Sequence, residues 1–115
     1  MDDLKFKYFG RINDPDGAAF VKGICGDEME FYLIIKNQII EDIKFHSNGC
    51  EHTGRCGNAT AELALGKTIA EVLKISPAEI KDAIEDFSLE DNHCVLLSAI
   101  TFYKALASYL YKQGF

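Results

Sequence analysis

The hydrophobic period of the chain changes halfway along its length, and this change most constrains the fold. Residues 28–35 alternate apolar and polar side chains, as in a strand with one buried face. The apolar set there is Met29, Phe31, Leu33 and Ile35. Residues 39–47 alternate less cleanly, with Ile39, Ile43 and Phe45 on one side. The linker 36–38 is short enough for a hairpin, and residues 18–22 fit a short edge strand. The first half therefore predicts a small antiparallel sheet with one wet face.

The second half has helical signals instead. Residues 53–65 are rich in Ala, Glu and Leu, and Gly66 can end that helix. Thr68 and Ser76 are each followed three residues later by glutamate, which predicts two capped helix starts. A last, long helix is expected over about residues 94–112. Its predicted core stripe is Leu96, Ala99, Ile100, Tyr103, Leu106, Ala107 and Leu110. The fold class is α+β, with helices on one face of a small sheet.

Size and charge narrow the classes of function. The 115 residues fit one domain, residues 1–115. The formal net charge of −6 argues against nucleic-acid and anionic-membrane partners, since both require a basic surface. The first residues lack a basic region followed by an apolar stretch, so no signal peptide is expected. No apolar run approaches the roughly 20 residues that span a bilayer. A cytoplasmic location is expected by default.

Four cysteines in a reducing compartment point to metal binding or sulfur chemistry rather than to structural disulfides. From the count alone, small buried side chains are an equal alternative. The cysteines form no paired Cys-x-x-Cys knuckles, which argues against a zinc finger or ribbon. Three of them instead stand at predicted element boundaries, where a rigid scaffold can direct side chains from distant segments to one point. These three are Cys25, Cys50 and Cys94.

A carboxylate and an imidazole accompany these thiols. Asp27 follows Cys25 in Cys25-Gly26-Asp27, and His93 precedes Cys94 at the start of the last helix. Thiolates suit iron–sulfur clusters and zinc, whereas a carboxylate is a harder and poorer partner for a sulfide-rich cluster. A site that mixes the two should hold a cluster less firmly than four thiolates would. That property suits a protein that releases its cargo.

These residues resemble the NifU/IscU family of iron–sulfur cluster assembly scaffolds. The matching pieces follow one another in the order and at the spacing of the family, from about residue 10 to residue 110. They are Cys-Gly-Asp at 25–27, Ile-Ile-Glu-Asp at 39–42 leading into Phe45, Gly49-Cys50, Gly-Lys-Thr at 66–68 and His93-Cys94. The resemblance implies a three-stranded antiparallel sheet with a long C-terminal helix. It also implies that Cys25, Cys50 and Cys94 are the scaffold cysteines, that Asp27 keeps the cluster labile, and that His93 is an alternate ligand.

The resemblance further implies a function without catalytic turnover. A cysteine desulfurase would deliver sulfur, a transient [2Fe–2S] cluster would be assembled, and apo iron–sulfur proteins would receive it. Zinc is expected to occupy such a site readily in the protein as purified. The alternative is a zinc-binding sulfur acceptor, or sulfurtransferase, of the same family. That branch carries a long insertion before the last cysteine and lacks the histidine, so the scaffold branch is favoured.

The chain also departs from the family pattern. Residues 87–92 replace the usual Leu-Pro-Pro-x-Lys stretch, and without its prolines and lysine the family's chaperone interaction is not carried over. Asp91 in that segment is either an additional hard ligand or, as we prefer, part of a helix cap. Cys56 stands where the family has a small residue, four residues after His52, which is metal-ligand spacing on a helix. A buried cysteine and a solvent-facing histidine are the preferred alternative. If Gly54 instead broke the helix, Cys56 could approach Cys50.

Overall fold

Strands occupy the first half of the chain and helices the second, as the change of period predicts. The computed structural model describes residues 6–23, 26–49, 51–84, 88 and 92–114. The strands are β1 (Gly17–Lys22), β2 (Glu28–Lys36) and β3 (Ile39–Ser47). The helices are α1 (Glu51–Ala64), α2 (Ile69–Val72), α3 (Pro77–Asp82) and α4 (Asn92–Lys112). The α+β class, the three-stranded antiparallel sheet and the long C-terminal helix are therefore confirmed.

The sheet is antiparallel with β2 in the middle and β1 at one edge. Phe31 of β2 pairs with Ala19 of β1 and with Phe45 of β3. The predicted inner face of β2 is buried along its whole length. Asn37 and Gln38 connect β2 to β3 with φ of 53° and 66°. Two successive positive φ values give a tight turn whose twist matches that of the flanking strands.

The bounds of β3 are those predicted, but the assignment of Ile39 to the buried face was wrong, because the ladder contains a bulge. Ile34 pairs with Asp42 but Ile35 pairs with Ile40, which leaves Glu41 as an extra residue. An extra residue reverses the alternation of side chains on the bulged strand. Ile40 is therefore fully buried, whereas Ile39 is 40% exposed.

The helices cover one face of the sheet. α1 lies on β3, where a Cβ added at Gly57 would lie 2.6 Å from Cδ2 of Phe45, so the glycine permits this close approach. The capping boxes at Thr68 and Ser76 are both formed, each with its glutamate, which confirms those two helix starts. α4 packs across β1 and β2 through Phe102, whose ring lies 5.8 Å from that of Phe31.

The predicted core stripe of α4 was partly wrong. Leu96 and Ile100 are 50% and 46% exposed, and Ala107 is exposed as well. The buried face instead consists of Cys94, Val95, Leu97, Ser98, Ala99, Thr101, Phe102, Ala105, Leu106 and Tyr109. Because the helix is apolar on nearly all sides, its periodicity does not define one face. By length and mean hydropathy it could cross a membrane, but 56% of its most apolar 18-residue window is buried in the fold, as in a core helix.

Candidate functional site

Three separate segments meet where β1 turns into β2 and β3 leads into α1. The β1–β2 connection contributes Asp27, the β3–α1 connection contributes Gly49, and the first turn of α4 contributes Cys94. Thr53, in the first turn of α1, lies between them. Asp27 and Cys94 are thus brought to opposite sides of one hydroxyl group.

The Thr53 hydroxyl joins the two predicted ligands. It donates to Oδ2 of Asp27 at 2.7 Å, and its oxygen lies 3.3 Å from the Cys94 sulfur. Thr53 is fully buried, Cys94 is 5% exposed and Asp27 is partly buried. Sequence reasoning missed Thr53 because a threonine in an alanine-rich helix carries no signal of its own. Its position in the site is seen only from its contacts with Asp27 and Cys94, which are 26 and 41 residues away in the sequence.

Backbone hydrogen bonds shape the segment that carries Asp27. Gly26 has φ of 92°, a conformation that side chains rarely tolerate. The amide of Gly26 donates to the carbonyl of Gly23 at 3.0 Å, and the amide of Gly23 donates to the carbonyl of Asp27 at 2.7 Å. These bonds hold Gly23, Gly26 and Asp27 together, and the Asp27 carboxylate reaches Thr53 of α1.

A reciprocal pair of hydrogen bonds fixes the neighbouring connection. The amide of Glu28 donates to Oδ1 of Asn48 at 2.9 Å, and Nδ2 of Asn48 donates to Oε1 of Glu28 at 3.1 Å. The amide of Gly49 donates to the Ser47 hydroxyl at 2.9 Å. The start of β2 and the end of β3 are therefore tied together directly beneath the site.

His93 and Cys94 are neighbours in sequence but differ in environment. His93 is exposed, whereas Cys94 faces Thr53 inside the fold. Cys94 is the third residue of α4. His93 also borders a mostly apolar groove of about 240 Å³ between β1 and α4, whose lining includes Gly23, Leu96 and Ile100.

The predicted ligands Cys25 and Cys50, and the additional candidate Asp91, lie outside the described residues. Within the residues that are described, no three His, Cys, Asp or Glu side chains stand close enough to hold a metal ion. The five-residue ligand set therefore stays a prediction, of which the structure places Asp27, His93 and Cys94.

Cys56 does not lie in a loop. α1 continues through Gly54 without a break, so the alternative in which residues 51–55 form a loop was wrong. Cys56 is fully buried in the hydrophobic core. His52 lies in the same helix with Nδ1 2.8 Å from NH2 of Arg55. These positions match the preferred interpretation of Cys56 as a buried small side chain, although its part in cluster chemistry stays a matter for experiment.

A second polar cluster lies on the open face of the sheet, away from this site. Arg11 donates from Nε and NH2 to the two Glu30 carboxylate oxygens at 3.0 and 3.1 Å, and Tyr32 donates to Glu30 as well. The Arg11 hydrogen bond holds the pKa of Glu30 below its usual value. Desolvation, followed by the Glu30 hydrogen bond, raises the pKa of Tyr32. His46 lies 3.2 Å from NH2 of Arg11. The cluster anchors the segment that precedes β1 to the sheet.

Comparison with known proteins gives evidence that does not depend on the geometry of the site. Residues 5–115 match the family model described as the NifU-like N terminal domain. The chain is 37% identical over 106 residues to the iron–sulfur cluster assembly scaffold protein IscU 1 of Archaeoglobus fulgidus, covering 91% of this chain and 69% of that protein. It is 30% identical over 108 residues to the scaffold protein IscU of Aquifex aeolicus, with the same coverage of 91% and 69%.

Solved structures show the same fold at lower identity. A Fervidobacterium islandicum protein, described as a candidate iron–sulfur cluster assembly scaffold for the SUF system, superposes with a TM-score of 0.71 at 24% identity, covering 87% of each chain. The N-terminal part of a nitrogen-fixing NifU-like protein from Brucella abortus gives a TM-score of 0.56 at 20% identity, covering 91% of this chain and 76% of that one. These likenesses support the α+β architecture.

Proposed function

The chain belongs to the NifU-like N-terminal domain family, and we propose that it is a scaffold on which an iron–sulfur cluster is assembled and then passed to apo-proteins. The observation that carries this proposal is the meeting of Asp27 and Cys94 around the Thr53 hydroxyl. A thiol and a carboxylate from segments far apart in the sequence both contact one buried hydroxyl group. In this function residues 1–115 act as a single domain.

In this proposal the cluster is cargo, held by Cys25, Cys50, Cys94, Asp27 and His93. Two facts support the inclusion of the two cysteines outside the described residues. Cys25 precedes the Gly26-Asp27 turn, and Cys50 directly follows Gly49, which lies against Asp27 and Thr53. Adjacent Cα atoms are about 3.8 Å apart, so the thiols of both residues have short chain connections to the site.

The chemistry of this ligand set favours release over storage. Thiolates are good ligands for a cluster, whereas the Asp27 carboxylate is a harder ligand that exchanges more readily. We propose that the cargo is a [2Fe–2S] cluster built with sulfur from a cysteine desulfurase, that zinc can take the same site, and that the protein acts in the cytoplasm without turnover of its own. No observation favours the sulfur-acceptor alternative. Asp91, His52 and Cys56 are not required in this arrangement.

Anaerobic reconstitution tests the proposal. The parent protein, incubated with ferrous iron, sulfide and a thiol reductant, should develop the visible absorption of a cluster and transfer it to an apo-ferredoxin. Cys94→Ser should lose most of the absorption, because it removes a thiolate ligand. Lys104→Ala, an exposed change in the same helix, is the control and should match the parent. A parent protein that develops no cluster absorption, or that holds a cluster but never transfers it, would overturn the scaffold function.

A further inference from the structure

We infer that Thr53 is a positioning residue for this site, whose single hydroxyl hydrogen serves Asp27 and Cys94 in turn. The inference rests on the proposed function, since it assigns Thr53 a part in holding and releasing the cargo. It starts from one geometric fact. One oxygen, Oγ1 of Thr53, lies 2.7 Å from Oδ2 of Asp27 and 3.3 Å from the sulfur of Cys94.

A hydroxyl group has one hydrogen to donate, so it cannot donate to both neighbours at once. While the hydrogen points to Asp27, Oδ2 is held on the side of α1 and away from any cargo. When that carboxylate oxygen turns to a metal ion, the hydroxyl can turn to the Cys94 sulfur. A hydrogen bond to a ligating sulfur is one of the means by which proteins tune iron–sulfur sites. Thr53 thus links the position of one ligand to the surroundings of the other.

The other buried threonines show that this use of the hydroxyl is particular to Thr53. Thr60 in α1 donates to the carbonyl of Cys56 at 2.8 Å, and Thr101 in α4 donates to the carbonyl of Leu97 at 2.7 Å. Both bonds follow the usual pattern of a helical threonine, which bonds to the carbonyl four residues earlier. Thr53 instead directs its hydroxyl at side chains of two other segments.

The packing around Thr53 keeps the hydroxyl in place. Its β-branched side chain is fully buried, and such side chains are stiff about χ1. A Cβ added at Gly49 would lie 2.7 Å from Oγ1 of Thr53 and 3.0 Å from Cγ of Asp27. The glycine thus leaves only enough room for the Thr53–Asp27 pair beneath the chain that leads to Cys50.

Cobalt binding to the apo-protein tests the inference with a readout that does not depend on cluster assembly. Thr53→Val keeps the shape but removes the hydroxyl, and Thr53→Ser restores it. We expect Thr53→Val to weaken Co²⁺ binding about 10- to 100-fold, as loss of an outer-shell partner does. The d–d absorption at saturating Co²⁺ should also change. Thr53→Ser should restore both the affinity and the spectrum.

Thr60→Val is the matched control, because it removes a buried hydroxyl from the same helix away from the site. It should leave Co²⁺ affinity and spectrum at the parent's values even if it lowers stability. Should Thr53→Val fail to fold, Thr53→Ala is the second variant without a hydroxyl, and circular dichroism selects the one that folds. If neither differs from the parent in affinity and spectrum, or if Thr53→Ser fails to restore them, the inference is wrong.

The outcome is separable from that of the proposed function. If the parent assembles and transfers a cluster while the Thr53 variants bind Co²⁺ as it does, only the role of Thr53 fails. If the parent binds Co²⁺ in a Thr53-dependent manner but never assembles a cluster, the scaffold function fails and the positioning role holds for a metal site.

Discussion

At the scale of single residues, the proposed ligand set combines one hard ligand with soft ones. Asp27 is the described residue with this property, and its carboxylate is held from one side by Thr53. Oδ2 of Asp27 accepts the hydrogen bond of the Thr53 hydroxyl at 2.7 Å. In the proposed scaffold, breaking this bond frees Oδ2 to ligate the cargo.

The first prediction is that Asp27→Ala slows cluster transfer about 10-fold, because the remaining ligands are softer and exchange more slowly. The measurement is the half-life of cluster colour on each reconstituted protein with apo-ferredoxin present. Asp82→Ala, an exposed change at the end of α3, is the control. Equal half-lives for Asp27→Ala and the parent would remove Asp27 from the release step.

The second prediction concerns Cys56. Because its side chain is fully buried in the core, Cys56→Ala should lower the free energy of unfolding by about 1 kcal/mol and leave the cluster yield unchanged. Cys94→Ala should also lower the free energy of unfolding, because its side chain is buried as well, but it should lose most of the cluster yield. Urea unfolding and visible absorption after reconstitution measure the two effects. A loss of yield for Cys56→Ala as large as that for Cys94→Ala would make Cys56 a ligand.

At the scale of elements, some features of the fold could be predicted from the sequence and others could not. Local signals were sufficient for the strands and for the capping boxes at Thr68 and Ser76, because each depends on residues within a few positions. The bulge at Glu41 has no local signature and reversed the prediction for Ile39. The buried face of α4 was predicted only in part, because small polar residues such as Ser98 take core positions against the sheet.

The site shows the same division. Cysteines at element boundaries, and the resemblance that they carry, predicted which segments would meet. Asp27 and Cys94 both contact the Thr53 hydroxyl. The residue between them could not be predicted, because Thr53 acquires its role only through contacts between segments far apart in the chain. Cys25 and Cys50 lie outside the described residues, so their predicted part in the site stays a prediction.

The third prediction tests the corrected face of α4 with two adjacent leucines. Leu97 is 5% exposed and Leu96 is 50% exposed. Leu97→Ala should cost about 2–5 kcal/mol of unfolding free energy, because it leaves a cavity. Leu96→Ala should cost about 0.5 kcal/mol or less, as exposed substitutions do. Denaturant titration of the two variants gives both values. Equal costs would mean that Leu96 belongs to the core, as the periodicity alone had suggested.

At the scale of the whole molecule, the contacts that form the site also hold separate parts of the fold together. The loop before β2, the first turn of α1 and the first turn of α4 all contribute to the site, and the Thr53 hydroxyl joins them. A metal ion bound there would add a further link between these segments. The net charge of −6 favours cations over anionic partners. Metal binding and global stability should therefore be coupled.

The last prediction follows from this coupling. A ligand that binds the folded state stabilises it by about 2.7 kcal/mol when its free concentration is 100 times the Kd. For a chain of this size, that corresponds to a rise in Tm of roughly 10 °C. The metal-free parent, prepared with a chelator, should show this rise on addition of Zn²⁺ under reducing conditions. Differential scanning calorimetry measures this rise in Tm.

Cys94→Ser should show a much smaller rise in Tm, because a thiolate ligand is missing. Cys56→Ala should keep the full rise even if its Tm begins lower, since its sulfur lies in the core. The same small shift in the parent and in Cys94→Ser would mean that Zn²⁺ does not bind at this site and that its metal chemistry is uncoupled from the fold.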